Sequence, residues 1–107
     1  MPYEIIFSPE AAEDLQQLRA NIRAEVGAAL QQYLRHQPEH VSKSRIKRLR
    51  GMAYPQYRLR VDDIRVYYNV GQSIVDVLAI VDKQDADAWL NQFGASDETD
   101  TSFGSKE

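Results

Sequence analysis

The sequence predicts an α+β fold: an N-terminal strand, a helical hairpin, an antiparallel strand meander and a short C-terminal helix. Apolar residues recur at helical spacing from Ala11 to Leu34, and from Tyr57 onward the period falls to two. Two turn-forming pairs, Asp62-Asp63 and Gly71-Gln72, cut that second region into three strands, "YRLRV", "IRVYYNV" and "SIVDVLAIV".

Taken in order, "YEIIF" (3 to 7) is rich in strand formers and puts Tyr3, Ile5 and Phe7 on one side. Ser8 is placed to cap a helix whose first position is Pro9, where the missing N–H costs nothing. Ala11, Leu15, Leu18 and Ile22 continue at helical spacing, as do Val26, Leu30 and Tyr33/Leu34, with Asn21 expected to cap the second helix. Pro38 ends the helical region. If the first hairpin turns on Asp62-Asp63 alone, Arg60 faces Arg65, Arg58 faces Tyr67 and Tyr57 faces Tyr68. A turn of just Gly71-Gln72 would pair Val70 with Ser73 and Tyr67 with Asp76, whereas a three-residue turn would invert the faces of the last strand. Asp85 is expected to start the last helix, with Ala88, Trp89 and Phe93 on its apolar side. The folded domain is expected over 1–93. Residues 94–107, small, polar and acidic, are expected to form a disordered tail.

A chain of 107 residues holds one modest core. With no cysteine, disulfides and thiolate metal sites are excluded and the cytoplasm is the expected compartment. The start "MPYEIIF" has no secretory pattern and no segment approaches membrane-spanning length, so no membrane partner is expected. The formal charge of −3 hides an uneven distribution. Residues 1–93 carry 12 acids and 12 Lys/Arg, while between Lys43 and Arg65 eight cations stand against two acids. Such a basic segment is what a polyanion needs.

Strand alternation sends Tyr57, Leu59, Val61, Ile64, Val66 and Tyr68 to the core side, leaving Arg58, Arg60, Arg65 and Tyr67 together on the other. Like charges opposed across strands cost about 0.2 to 1 kcal/mol, so arginine opposite arginine points to an anion held between them. Guanidiniums bind phosphate in bidentate fashion, which makes a nucleic-acid backbone the expected guest. Lys47, Arg48 and Arg50 are expected to extend that surface.

The run "RLRGM" (48 to 52), then "YRLRVDDIRVYYNV" and "VDVLAIVDKQ", resembles the RelE/ParE superfamily of bacterial type II toxins, over nearly all of the chain from Tyr3 to Phe93. The resemblance implies a helical hairpin packed on a small, mostly antiparallel twisted sheet. It also implies a cognate antitoxin protein as partner, with operator DNA reached through the antitoxin. Two functions are implied: RelE-like members cleave mRNA on the ribosome, and ParE-like members inhibit DNA gyrase. The short helical hairpin between Pro9 and Pro38 looks like the RelE branch, so an mRNA-cleaving endoribonuclease that inhibits translation is expected. A ParE-like gyrase inhibitor, or an impaired member that only binds its antitoxin, is the alternative. By the same resemblance Arg58 and Arg60 stand where family enzymes use basic residues, and Arg65 where an arginine contacts the scissile phosphate. Gln84, beside Lys83, replaces a second arginine, and Leu90 replaces a tyrosine that stacks on a base, with Trp89 just before it.

Metal-independent RNA cleavage requires proton removal from a 2′-hydroxyl, charge stabilisation at phosphorus and protonation of the 5′-oxygen. Arginine keeps its proton at ordinary pH, so the proton-transfer roles fall to Lys83, Tyr67 or Asp76, or to the ribosome. No cofactor and no metal is expected: Pro38 interrupts the His36/His40 spacing, and Asp82, Asp85 and Asp87 suit a helix start.

Overall fold

The computed structural model describes residues 2–96. Strand β1 (Glu4–Phe7) leads into α1 (Pro9–Gln17), and the Ser8 hydroxyl accepts from the Ala11 N–H at 3.0 Å, the cap the sequence calls for. Leu18 and Arg19 take extended backbone and make the corner before α2 (Ala20–Ala29). The residue at the α2 cap is Arg19, which makes no side-chain cap bond; Asn21 lies inside the helix, not at its start. From Leu30 to Leu34 the helix continues as a π-helical turn.

The remaining elements are β2 (Ile46–Arg48), β3 (Met52–Tyr54), β4 (Tyr57–Val61), β5 (Ile64–Val70), β6 (Ile74–Asp82), α3 (Lys83–Phe93) and β7 (Ala95–Ser96). The main sheet has the order β1-β6-β5-β4-β2, antiparallel except for β1, which runs parallel to β6. The sequence reading of three meander strands therefore gains an edge strand, β2, and a separate β3–β7 ribbon.

The first hairpin has the expected register, from Val61 opposite Ile64 to Tyr57 opposite Tyr68, with Asp62 in the left-handed region at φ 53°. The second does not. Val70 pairs with Val75 and Asn69 with Asp76, so the connection is longer than Gly71-Gln72, and Ser73 takes the positive φ of 63°. Further along, Tyr68 pairs with Val77 but Tyr67 with Ala79, a β-bulge that leaves Leu78 unpaired on β6. The extra residue reverses the faces: Val75 and Val77 point to the main core before it, and Ile80 after it.

That core lies between the helical hairpin and one sheet face, where Val26, Leu30 and Leu34 meet Leu59, Val66, Tyr68 and Val77. Each fully buried apolar side chain of this kind contributes about 1.5 to 3 kcal/mol. The Tyr68 hydroxyl donates to the Pro38 carbonyl at 2.6 Å, tying the loop after the helices to the sheet. On the opposite face α3 packs its buried Ala86 toward the sheet, where Tyr67 and Ala79 are buried. Asp82 caps α3 by accepting from the Gln84 N–H at 3.1 Å, so the helix begins at Lys83, two residues before the expected Asp85. The earlier start rotates its faces, burying Ala86 and leaving Ala88 exposed.

Ala95 and Ser96, expected in the tail, pair with β3. The rest of that tail, 97–107, lies outside the described residues. Among the described residues no helix is long and apolar enough to cross a membrane.

Candidate functional site

Cross-strand register sets one row of side chains on the face away from the hairpin: Lys47 on β2, Arg58 on β4 and Tyr67 on β5. Arg65 stands two residues along β5 on the same face, and the start of α3 brings up Lys83 and Gln84. These six line an open groove of about 570 Å³. Its wall is completed by Leu49, Ala86, Asp87 and Leu90. Four cations against one carboxylate make it strongly positive.

Arg58 sits deepest. Burial pulls its guanidinium below the ordinary arginine range, the nearby charge of Arg65 adds to this, and its Nε is buried with no partner among the described residues. A buried charged donor left unpaired is costly, and an anion in the groove beside the guanidinium would offset part of that cost through its charge. Arg65 is held in place: its Nη1 donates to the Asp62 carbonyl at 2.8 Å and to the Ile64 carbonyl at 3.2 Å. Lys83 donates its backbone N–H to the Asp63 carbonyl at 2.7 Å, and its Nζ lies 3.4 Å from the exposed Asp63 carboxylate. An exposed pair of this kind is weak and opens readily. Tyr67 is 1% exposed, and burial raises its phenol above the usual range, so it stays protonated near neutral pH and is no proton acceptor there.

Four of the expected residues lie elsewhere. Arg60 pairs with Arg65 in register, yet its side chain lines neighbouring clefts, one of them with Ser44, Arg45 and Asp62. The expected convergence of three guanidiniums is thus a convergence of two, because like charges placed opposite one another separate. Arg48 falls on the core-side row with Tyr57; its Nη1 donates to the carbonyls of Leu49 at 3.0 Å and Gln56 at 2.8 Å, and its guanidinium lies 5.3 Å from the Tyr57 ring centroid. It braces the β2–β4 connection. Arg50 is exposed in the turn before β3, outside the groove lining. Trp89 stacks on Tyr67 and lines a different cleft with Tyr54 and Phe93. Asp76, considered as a proton acceptor, pairs with Asn69 and is not in the groove.

The residues missed were Leu49, Ala86 and Asp87, while Leu90 lines the groove at the position where the resemblance puts a stacking tyrosine. Lys83, Asp87 and Leu90 are spaced four and three apart, one face of a helix. Reading Asp82 as the cap would have turned that face, Asp87 included, to the groove. His36 and His40 are exposed on the loop around Pro38, and among the described residues no group of three His, Cys, Asp or Glu is placed to hold a metal ion.

Comparison with known proteins adds a family and a fold. The family described as ParE toxin of type II toxin-antitoxin system, parDE, matches residues 5–86. The free E. coli toxin RelE, in a form with two arginines replaced by alanine, is 19% identical, with 87% of this chain and 99% of that one covered and a TM-score of 0.63. The RelE–RelB complex from Pyrococcus horikoshii gives 22%, 78% and 97%, and 0.59. The toxin-antitoxin complex RelBE2 from Mycobacterium tuberculosis gives 26%, 77% and 92%, and 0.58. Among curated proteins none matches.

Proposed function

This chain belongs to the ParE toxin family of type II toxin-antitoxin systems, and we propose that it acts on RNA, gripping a phosphodiester in the Arg58–Arg65 groove and cleaving mRNA on the ribosome. The observation that carries this reading is the pairing of two arginines in one open groove, with the Arg58 Nε buried and without a partner among the described residues. Guanidiniums aimed at a phosphate stabilise the charge that grows at phosphorus as the 2′-oxygen attacks. In that step the P–O2′ bond forms and the P–O5′ bond breaks, leaving a 2′,3′-cyclic phosphate and a 5′-hydroxyl. Asp87 is the one carboxylate in the lining and is assigned the 2′-hydroxyl proton; Lys83 is assigned to protonate the departing 5′-oxygen. Lys47 and Gln84 bind the strand beside them.

The partner that restrains such a toxin is an antitoxin chain whose acidic segment covers the groove, and any operator DNA is reached through it. Relatives solved as toxin-antitoxin complexes support this partner. The expected site of action is the cytoplasm.

Primer extension on an mRNA incubated with translating ribosomes tests the reading. Wild type is expected to cut, Arg65→Ala to lose about a hundredfold or more, and Asp87→Asn about a hundredfold. Intact mRNA alongside blocked supercoiling by DNA gyrase would overturn it. Gyrase inhibition is the second reading, and the family match favours it.

A further inference from the structure

We propose that the cleft between the π-helical turn and β2 is a second nucleic-acid subsite, taking a phosphate several nucleotides along the strand from the one held in the groove. The inference rests on the RNA-binding reading and extends it. The cleft measures about 380 Å³, and Tyr33, His36, His40, Ser42, Ser44 and Arg45 supply most of its lining. Among the described residues no Asp or Glu lines it, although Glu39 lies in the same loop. Two imidazoles, a guanidinium and two hydroxyls make it a surface of donors.

The loop that carries these donors is anchored before any ligand arrives. Pro38, between the two histidines, is buried and accepts from the Tyr68 hydroxyl at 2.6 Å. The His40 N–H donates to the Gln37 carbonyl at 3.1 Å, and the Tyr3 N–H to the Arg35 carbonyl at 2.6 Å. Arg45 lies 5.4 Å from the Tyr33 ring centroid and donates to the Arg60 carbonyl at 3.2 Å. The Ser42 hydroxyl oxygen accepts from the N–H groups of Arg45 and Ile46 at 3.1 and 3.3 Å, which leaves its proton to be donated outward. Donors on a loop anchored in this way lose less freedom when an anion binds.

The cleft also continues the basic surface. Ser44 and Arg45 line it and, with Arg60, a smaller neighbouring cleft, so cations run from Arg58 and Lys47 through Arg60 to Arg45. The carboxylates beside Arg60 are Asp62, in the smaller cleft, and Glu25, Asp63 and Asp82 in the other cleft that Arg60 lines; Asp62 raises the Glu25 carboxyl above its usual range. This placement also accounts for Arg60, which leaves the groove for the side on which Arg45 stands.

Fluorescence anisotropy with the full chain and uncleavable 2′-O-methyl RNA, a trinucleotide and a nonamer, tests the subsite at low salt. The trinucleotide is too short to reach beyond the groove. Replacing both histidines (His36→Ala with His40→Ala), or Arg45→Ala alone, is expected to weaken the nonamer about five- to tenfold and to remove its advantage over the trinucleotide. An unchanged nonamer affinity in the histidine double variant, with circular dichroism showing it folded, overturns the inference. Arg65→Ala is the separate control: if it weakens neither oligonucleotide, the groove reading fails, whereas loss confined to the histidine and Arg45 variants still supports the cleft.

Discussion

The indole of Trp89 lies flat on the ring of Tyr67, with centroids 5.0 Å apart and planes 4° from parallel. Tyr67 belongs by alternation to the arginine face, where solvent would be expected; Trp89 keeps it dry and seats α3 on the sheet. One face of the indole is therefore taken, so Trp89 is a packing residue. Trp89→Ala is expected to lower stability by about 3 kcal/mol, at the low end for a large aromatic. Urea unfolding measures this, and a loss under 1 kcal/mol would mean that α3 is held elsewhere.

Arg58 sets stability against function. Its guanidinium is desolvated, faces the charge of Arg65 and leaves Nε unpaired. Arg58→Met keeps the apolar stem and removes the charge, so it is expected to raise stability by up to about 1 kcal/mol while abolishing toxicity. Thermal melting paired with growth after induction checks both halves. A destabilised variant would show that the guanidinium is better satisfied than its geometry indicates.

Gly94 is required for space. A Cβ there would lie 2.6 Å from the Leu90 carbonyl oxygen and 2.6 Å from Met52 Cε. The methionine can move, but the helix backbone cannot. Gly94→Ala is expected to cost about 1 to 3 kcal/mol and to unseat the β3–β7 pairing. Hydrogen exchange at Met52 and Ser96 reads the second effect, and unaltered protection there would contradict it.

Burial raises the phenols of Tyr57, Tyr67 and Tyr68 above their usual value. A folded-state value above the unfolded one means that stability is complete below about pH 10, the unfolded phenol value, and falls as pH rises beyond it. Denaturant titrations at pH 8, 10 and 11 are expected to show a plateau and then a fall. Tyr68→Phe should lose about 1 to 2 kcal/mol at pH 8, where the bond to the Pro38 carbonyl is missing, and should fall less steeply above pH 10. An equal fall in both proteins would remove Tyr68 from the explanation.

What was legible in the sequence follows from how local each signal is. The β4–β5 hairpin could be read residue by residue because a two-residue turn and strict alternation leave one register. Ser8 and Pro9 announced α1 for similar reasons. The bulge at Leu78 was not legible, since it answers to packing across three strands, nor was the parallel pairing of β1 with β6, distant partners that carry no shared local pattern. Six of ten expected site residues line the groove: strand parity placed Arg58, Arg65 and Tyr67, the basic segment suggested Lys47, and the resemblance suggested Lys83 and Gln84. Arg48 was misplaced by one position, which in a strand means the opposite face. Arg60 shows the limit of parity: it fixes the face of a side chain but not the direction in which a long, charged one leans.

The central claim is that Arg58 and Arg65 grip a phosphate, and salt dependence of binding tests it most directly. The affinity of uncleavable single-stranded RNA should be measured across salt concentrations for wild type, Arg58→Ala, Arg65→Ala and the exposed control Arg50→Ala. Each groove variant is predicted to reduce the slope of log K against log salt by about 0.7, one phosphate contact on a single strand, while Arg50→Ala keeps the wild-type slope. Identical slopes and affinities in all four proteins would contradict the account.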